Sequence, residues 1–179
     1  MRFLITLILM TFQVNSYAKG SKYWLENYSD IVNQQFICTS ASPINDRSPC
    51  NYFVANVLYI GFELSDFINN DNVMSAEQIF NYVRSEQQWK LLGSADQQAA
   101  LEIAQSKANL GYPVIAVENS HIAIIVPGQM SRSSSWKLNV PNSASFMLDD
   151  VSRSYSSKPL SFAWKSTDKY KIQLYWREF

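Results

Sequence analysis

The chain has 179 residues, with 15 Lys and Arg balanced by 15 Asp and Glu, one histidine and two cysteines. That length suits one domain with a core of its own, and two cysteines are too few for a disulfide scaffold. Zero net charge and the lack of a basic block remove the main electrostatic support for nucleic-acid binding.

Arg2 is followed by an apolar stretch, Phe3 to Phe12, and then by Ser16-Tyr17-Ala18, whose small outer residues fit a signal peptidase site. Ten apolar residues fall short of the roughly 20 that span a bilayer. Residues 1–18 therefore read as a signal peptide and 19–179 as the mature domain; an uncleaved anchor is the alternative. Without Arg2 the mature chain carries 14 basic against 15 acidic residues. The expected location is the periplasm or the external medium, with no stable membrane insertion after cleavage.

From Lys22 to Ile37 the residues Tyr23, Trp24, Tyr28, Ile31, Val32 and Phe36 recur at helical spacing and predict an amphipathic helix. A second helix is marked by Ser48 as N-cap, Pro49 at the first helical position and Gly61 as the stop. Cys50 then stands at its second position, on one stripe with Phe53, Val54, Val57 and Leu58. A helix N-terminus stabilises an anion, so a thiol there is predisposed to act as a thiolate nucleophile. The competing assignment is a Cys38–Cys50 disulfide, since twelve residues separate the two in an exported chain.

Two capping-box patterns, Ser75-Ala76-Glu77-Gln78 and Ser94-Ala95-Asp96-Gln97, predict two more helices, the second ending at Gly111. The pattern then changes to short strands, Tyr112 to Val117 and His121 to Val126, joined as a hairpin. The second is apolar on both faces and is expected to be central. His121 opens it, and a lone histidine is the one side chain whose ordinary pKa suits proton transfer near neutral pH. The alternative role is a core-edge histidine bonded to a backbone carbonyl. Ser135 to Val140 and Tyr170 to Trp176 are further predicted strands. Helices first and strands afterwards argue for an α+β fold. The five tryptophans, Trp24, Trp89, Trp136, Trp164 and Trp176, are assigned mainly to the core, with a minority free to line a groove for carbohydrate or peptide.

The segment Ser48-Pro49-Cys50-Asn51-Tyr52-Phe53-Val54, followed by Trp89 through Gly93, Ala108 through Ala116 and His121 through Gly128, resembles the papain-like bacterial cell-wall amidases and endopeptidases of the CHAP and NlpC types. The resemblance covers about Ser48 to Phe146, in the family's order. It implies a papain-like domain, N-terminal helices on a mainly antiparallel sheet, acting as a peptidoglycan hydrolase. Cys50 would be the nucleophile, and His121 the base and later the acid. The second histidine that NlpC-type enzymes often place on the next strand is absent. Asn139, Asn142, Ser143 and Ser145 are the candidates to orient the imidazole, and Asn142 is the one chosen here. The backbone N–H of Cys50 is a candidate oxyanion donor.

The substrate implied is peptidoglycan or a muropeptide, cut in the stem peptide or between muramic acid and L-alanine, with an inhibitor or immunity protein as a further partner. One histidine and two cysteines give no zinc-ligand spacing, and five glycines form no phosphate-cradling loop, so no cofactor or metal is expected. Two other readings stay open: a non-catalytic secreted domain that binds cell wall or protein, with the two cysteines joined, and acyl transfer by the same nucleophile.

Overall fold

The apolar run after Gly111 becomes β4 (Val114–Glu118) and β5 (His121–Ile125), an antiparallel hairpin with Glu118 opposite His121. Both strands bury side chains on both faces, so the pair needs cover on both sides. The computed structural model describes residues 19–36, 52–69 and 72–179. The predicted signal peptide, Cys38, the start of the second helix and Cys50 lie outside the described residues.

Among the described residues the fold is α+β, with four helices and a six-stranded sheet in which every neighbouring pair is antiparallel. The helices are α1 (Lys19–Gln34), α2 (Tyr52–Phe62), α3 (Ala76–Ser85) and α4 (Gln98–Asn109), with β1 (Ile68–Asn69) and β2 (Asn72–Val73) as a small hairpin between α2 and α3. The sheet adds β3 (Trp89–Ser94), β8 (Asn142–Ser145), β9 (Tyr155–Pro159) and β10 (Gln173–Arg177), in the order β3-β10-β4-β5-β8-β9. A separate short pair, β6 (Ser131–Arg132) and β7 (Asn139–Val140), lies in the loop between β5 and β8.

Alternation along the central strands divides the core in two. Ile115, Val117 and Ile124 pack with α1, α2 and α3 through Trp24, Val54, Leu58 and Ile79. Val114, Ala116, Ala123 and Ile125 pack on the other face with Leu101 and Ala104 of α4, Trp136 and Leu160. The central expectation for the histidine strand therefore holds, with four strands on one side of the pair or the other. Asp66, just beyond α2, ties the layers together: it accepts from Arg177 Nε at 2.6 Å and from Trp89 Nε1 at 2.9 Å, with both charged side chains largely buried.

Several boundaries differ from expectation for local reasons. Gly61 does not stop α2 but lies within it, and the left-handed exit is made by Glu63 at φ 58°. The glycine is needed instead for close approach: a Cβ there would lie 2.6 Å from Cε3 of the fully buried Trp24 of α1. The Ser75 capping box forms, with Ser75 Oγ accepting from Gln78 N and Gln78 Oε1 accepting from Ser75 N. The Ser94 box does not, because Ser94 ends β3 and donates to the Asp96 carboxylate, while Gln97 holds the cap position without a side-chain bond. Gly111 does follow α4, at φ 81°. The predicted strand from Ser135 to Val140 shortens to Asn139–Val140, because the Trp136 N–H turns back onto Ser133 Oγ and Lys137 takes φ 60°.

Gly61→Ala tests the close α1–α2 contact. On an open helix face the change would stabilise by about 0.5–1 kcal/mol, but Trp24 has no room to retreat, so a net loss of about 1–3 kcal/mol is expected in urea unfolding.

Candidate active site

His121 is placed by the hairpin: the two-residue turn Asn119-Ser120 returns the chain so that the imidazole sits where the central strand emerges from the core. Ser145, fully buried on neighbouring β8, has its Oγ 2.7 Å from His121 Nε2. Trp164 meets the ring edge-on, with centroids 4.9 Å apart, and its Nε1 donates to Glu118 Oε1 at 3.4 Å. The imidazole is thus gripped from two sides. With Nε2 engaged by Ser145, Nδ1 makes no hydrogen bond among the described residues.

Register explains the choice of Ser145. Ile124 faces Ala144 and Ile125 faces Ser143, so continuing the ladder puts Ala123 opposite Ser145 and makes Ser145 the diagonal neighbour of His121 on one face. The structure thus pairs His121 with Ser145 and not with Asn142, the residue chosen from sequence to orient the ring. Asn142 lies at the other end of β8, where its backbone carbonyl accepts from Val126 N. Its side chain donates to Pro127 O at 3.0 Å and accepts from Ser157 Oγ at 3.1 Å. Its backbone N–H donates to Gln105 Oε1 at 2.7 Å. Asn142 holds the Pro127-Gly128 turn. Of the other candidates, Ser143 bonds Tyr155 and the Lys158 carbonyl, and the Asn139 backbone pairs with the Gln98 side chain.

Two hollows meet at His121. The smaller, about 20 Å³ and so sized for about one water, is lined by Phe53 and Val54 of the first turn of α2 together with His121, Ile122 and Phe146. The larger, about 430 Å³, opens past His121 towards Leu148, Arg153 and Trp164. His121 and Leu148 line both. The first turn of α2 and His121 both border the smaller hollow, although strand alternation sets the His121 side chain on the face of Ala123 and Ser145, which α4 covers, and not on the face that α2 covers. Cys50 itself lies outside the described residues.

Burial lowers the His121 pKa from 6.5 to about 4; Glu118 and Asp149 oppose the shift, and Arg153 adds to it. The imidazole is accordingly neutral at pH 7, the form in which it can accept a proton. No group of three or more His, Cys, Asp or Glu side chains among the described residues is arranged to hold a metal. No helix among them is long and apolar enough to cross a membrane. The five tryptophans divide as composition suggested: Trp24, Trp89 and Trp136 are buried, whereas Trp164 and Trp176 are partly exposed, the former beside the histidine. No family model matches the chain, and no match to a curated protein is found.

The histidine makes stability depend on pH. Its folded pKa lies below its free value, so protonation favours the unfolded chain. The contribution is complete above about pH 6.5 and is lost as the pH falls through 4. The loss amounts to at most about 3 kcal/mol, since the ring keeps some contact with water. Urea unfolding at pH 7 and pH 4.5 should show a drop that is smaller in His121→Asn by that increment.

Proposed function

We propose that the protein is an exported papain-like cysteine hydrolase that cleaves an amide bond in peptidoglycan, either within the stem peptide or between muramic acid and L-alanine. The observation that carries the reading is the cavity shared by His121 and the first turn of α2. Phe53 and Val54 line it, and Cys50 precedes them by three and four residues, the spacing of one helical stripe. The tight fixing of Nε2 by Ser145 supports it further, because a general base needs a defined orientation. The substrate class comes from the family resemblance of the Cys50 and His121 segments, and export from residues 1–18.

In this mechanism His121 Nδ1 takes the thiol proton of Cys50, and the sulfur attacks the amide carbonyl carbon. The tetrahedral oxyanion is met by the Cys50 backbone N–H. His121 then gives the proton to the departing amine as the C–N bond breaks, leaving a thioester. A water, deprotonated by the same imidazole, attacks the thioester; the acid is released and the thiol is restored. Ser145 is a positioning residue that acts through the imidazole.

Incubation of purified peptidoglycan with the mature protein, followed by mass spectrometry of the soluble fragments, should identify the bond cut. Cys50→Ala should lower the rate by roughly three orders of magnitude or more with an unchanged circular dichroism spectrum. Fragments released equally by that variant would sink the proposal. Lack of release from several wall types, with no thiol titratable in the unfolded, unreduced chain, would instead favour the binding domain with joined cysteines.

Ser145→Ala should lower kcat about tenfold to a hundredfold with little change in KM, and Ser145→Thr should restore part of it. A shift in the acid limb of the kcat–pH profile would separate positioning of the imidazole from a mere loss of stability.

A further inference from the structure

A further hollow, of about 560 Å³, lies between β2 and α3 and shares no lining residue with either hollow at His121. Helix α3 presents three stripes. Ile79 and Val83 are buried in the core. Glu77 and Arg84 stand exposed on a second stripe, with the Arg84 guanidinium 5.2 Å from the centre of the Phe80 ring. Gln78, Asn81, Tyr82 and Ser85 form the third, at three- and four-residue spacing, and line the hollow. A solvated helix face ordinarily mixes charge with polarity, and here the charge is confined to the stripe outside the concavity. No charged side chain lines the hollow among the described residues. The charges that act on Tyr82 are those of Asp66, Glu86 and Arg177; none of them belongs to the lining, and Asp66 and Arg177 are paired with each other.

Much of the hydrogen-bonding capacity of this lining is unused. Gln78 Oε1 serves the capping box, but Gln78 Nε2, the Asn81 amide and the Tyr82 hydroxyl make no hydrogen bond among the described residues. The half-buried Tyr82 ring is braced edge-on by Phe67, with centroids 6.1 Å apart, and Phe67 is stacked in turn on Trp89 at 5.2 Å. Val73 and Met74 add apolar surface on the opposite side. Without a cation the lining has no charge-assisted bond to give an anion, and without a carboxylate it has none to give an ammonium. Strand β2, with two residues, is too short an edge for an extended peptide to lengthen the ladder. The complementary ligand carries several neutral hydroxyls, each a donor and an acceptor as a side-chain amide is, together with C–H faces that pack on Tyr82, Val73 and Met74. From this lining we infer that the β2–α3 hollow is a binding site for a neutral saccharide, held by the Gln78 and Asn81 amides and the Tyr82 hydroxyl. The site is separate from His121 and stands whether or not the protein is a hydrolase.

The test is calorimetric titration of the whole mature chain with three neutral tetrasaccharides, cellotetraose, maltotetraose and tetra-N-acetylchitotetraose, and with two charged ones, tetragalacturonate and deacetylated chitotetraose. At least one neutral tetrasaccharide should bind, with a Kd about tenfold or more below that of either charged one. That Kd should rise about tenfold or more in Asn81→Ala/Tyr82→Phe, which removes an amide and a hydroxyl from the lining. It should stay unchanged in Arg84→Gln, which removes the cation of the neighbouring stripe. In the unmodified chain the same saccharide should shift the side-chain amide resonances of Gln78 and Asn81, a readout that does not depend on the folding of any variant. Absence of binding by all three neutral tetrasaccharides, or tighter binding of a charged one, would overturn the site. So would binding that leaves either the amide resonances or the double variant's Kd unmoved.

Discussion

The rest of the structure depends on the two-sided burial of the β4–β5 hairpin. Val114 through Val117 and Ala123 through Val126 are withdrawn from water almost completely, each large side chain contributing about 1.5–3 kcal/mol of transfer free energy. A strand pair of this kind cannot rest at a sheet edge or face solvent, so the chain must supply a layer for each face. The helices α1 to α3 cover one, and α4 with the Trp136 and Leu160 segments covers the other. The close approach of α1 and α2 through Gly61 and Trp24 is part of that cover, and so is the Asp66–Arg177 pair that holds the exit of α2 to the last strand. His121 inherits its properties from the same constraint. It is the first residue of a strand that runs directly into the core, which leaves its ring partly buried and disfavours its charged form.

How much of this could be read from sequence follows from the range of each signal. The Ser75 capping box, the stop at Gly111 and the hairpin before His121 are governed by residues within four positions of one another, and all three form. The Ser94 box has a closely similar pattern and fails, because Ser94 is committed to pairing with Gln173 on β10, 79 residues away. Gly61 carries a signal that means a stop in isolation and a contact in context. Strands β3 and β9 lie at the sheet edges, where exposure on one side weakens the hydrophobic pattern that marked the central pair.

The partner of the histidine illustrates the limit most sharply. Asn139, Asn142, Ser143 and Ser145 are all polar and close in sequence, and side-chain chemistry favours an amide. Selection among them is made by β-sheet register, which a single-residue slip would invert. The observed pairing puts Ser145 diagonal to His121 on one face and sends Asn142 to the far end of the strand. There its amide joins Gln105 and Asn109 in satisfying the backbone around Pro127 and Gly128: Asn109 accepts from Gly128 N and donates to Gly128 O, and Gln105 donates to Val126 O. Three amides at one turn are explained by the polar backbone they serve, at a site where no ladder partner is available.

Burial of the imidazole also bears on the proposed chemistry. Lowering a histidine pKa from 6.5 to about 4 means that the imidazolium costs about 3 kcal/mol more than in water. In the proposed reaction a neighbouring thiolate would return a similar amount, about 4 kcal/mol for charges about 4 Å apart at the effective dielectric of a protein surface. The two would nearly cancel, leaving the proposed neutral pair and ion pair close in energy. In the proposed mechanism such a site would deprotonate the thiol when substrate arrives and return the proton to the leaving amine without a deep well on either side. A fully exposed histidine would have stabilised its own charge with water and hydrogen-bonded less firmly to Ser145. The same burial that costs stability in acid would therefore suit this position to the proton transfers proposed.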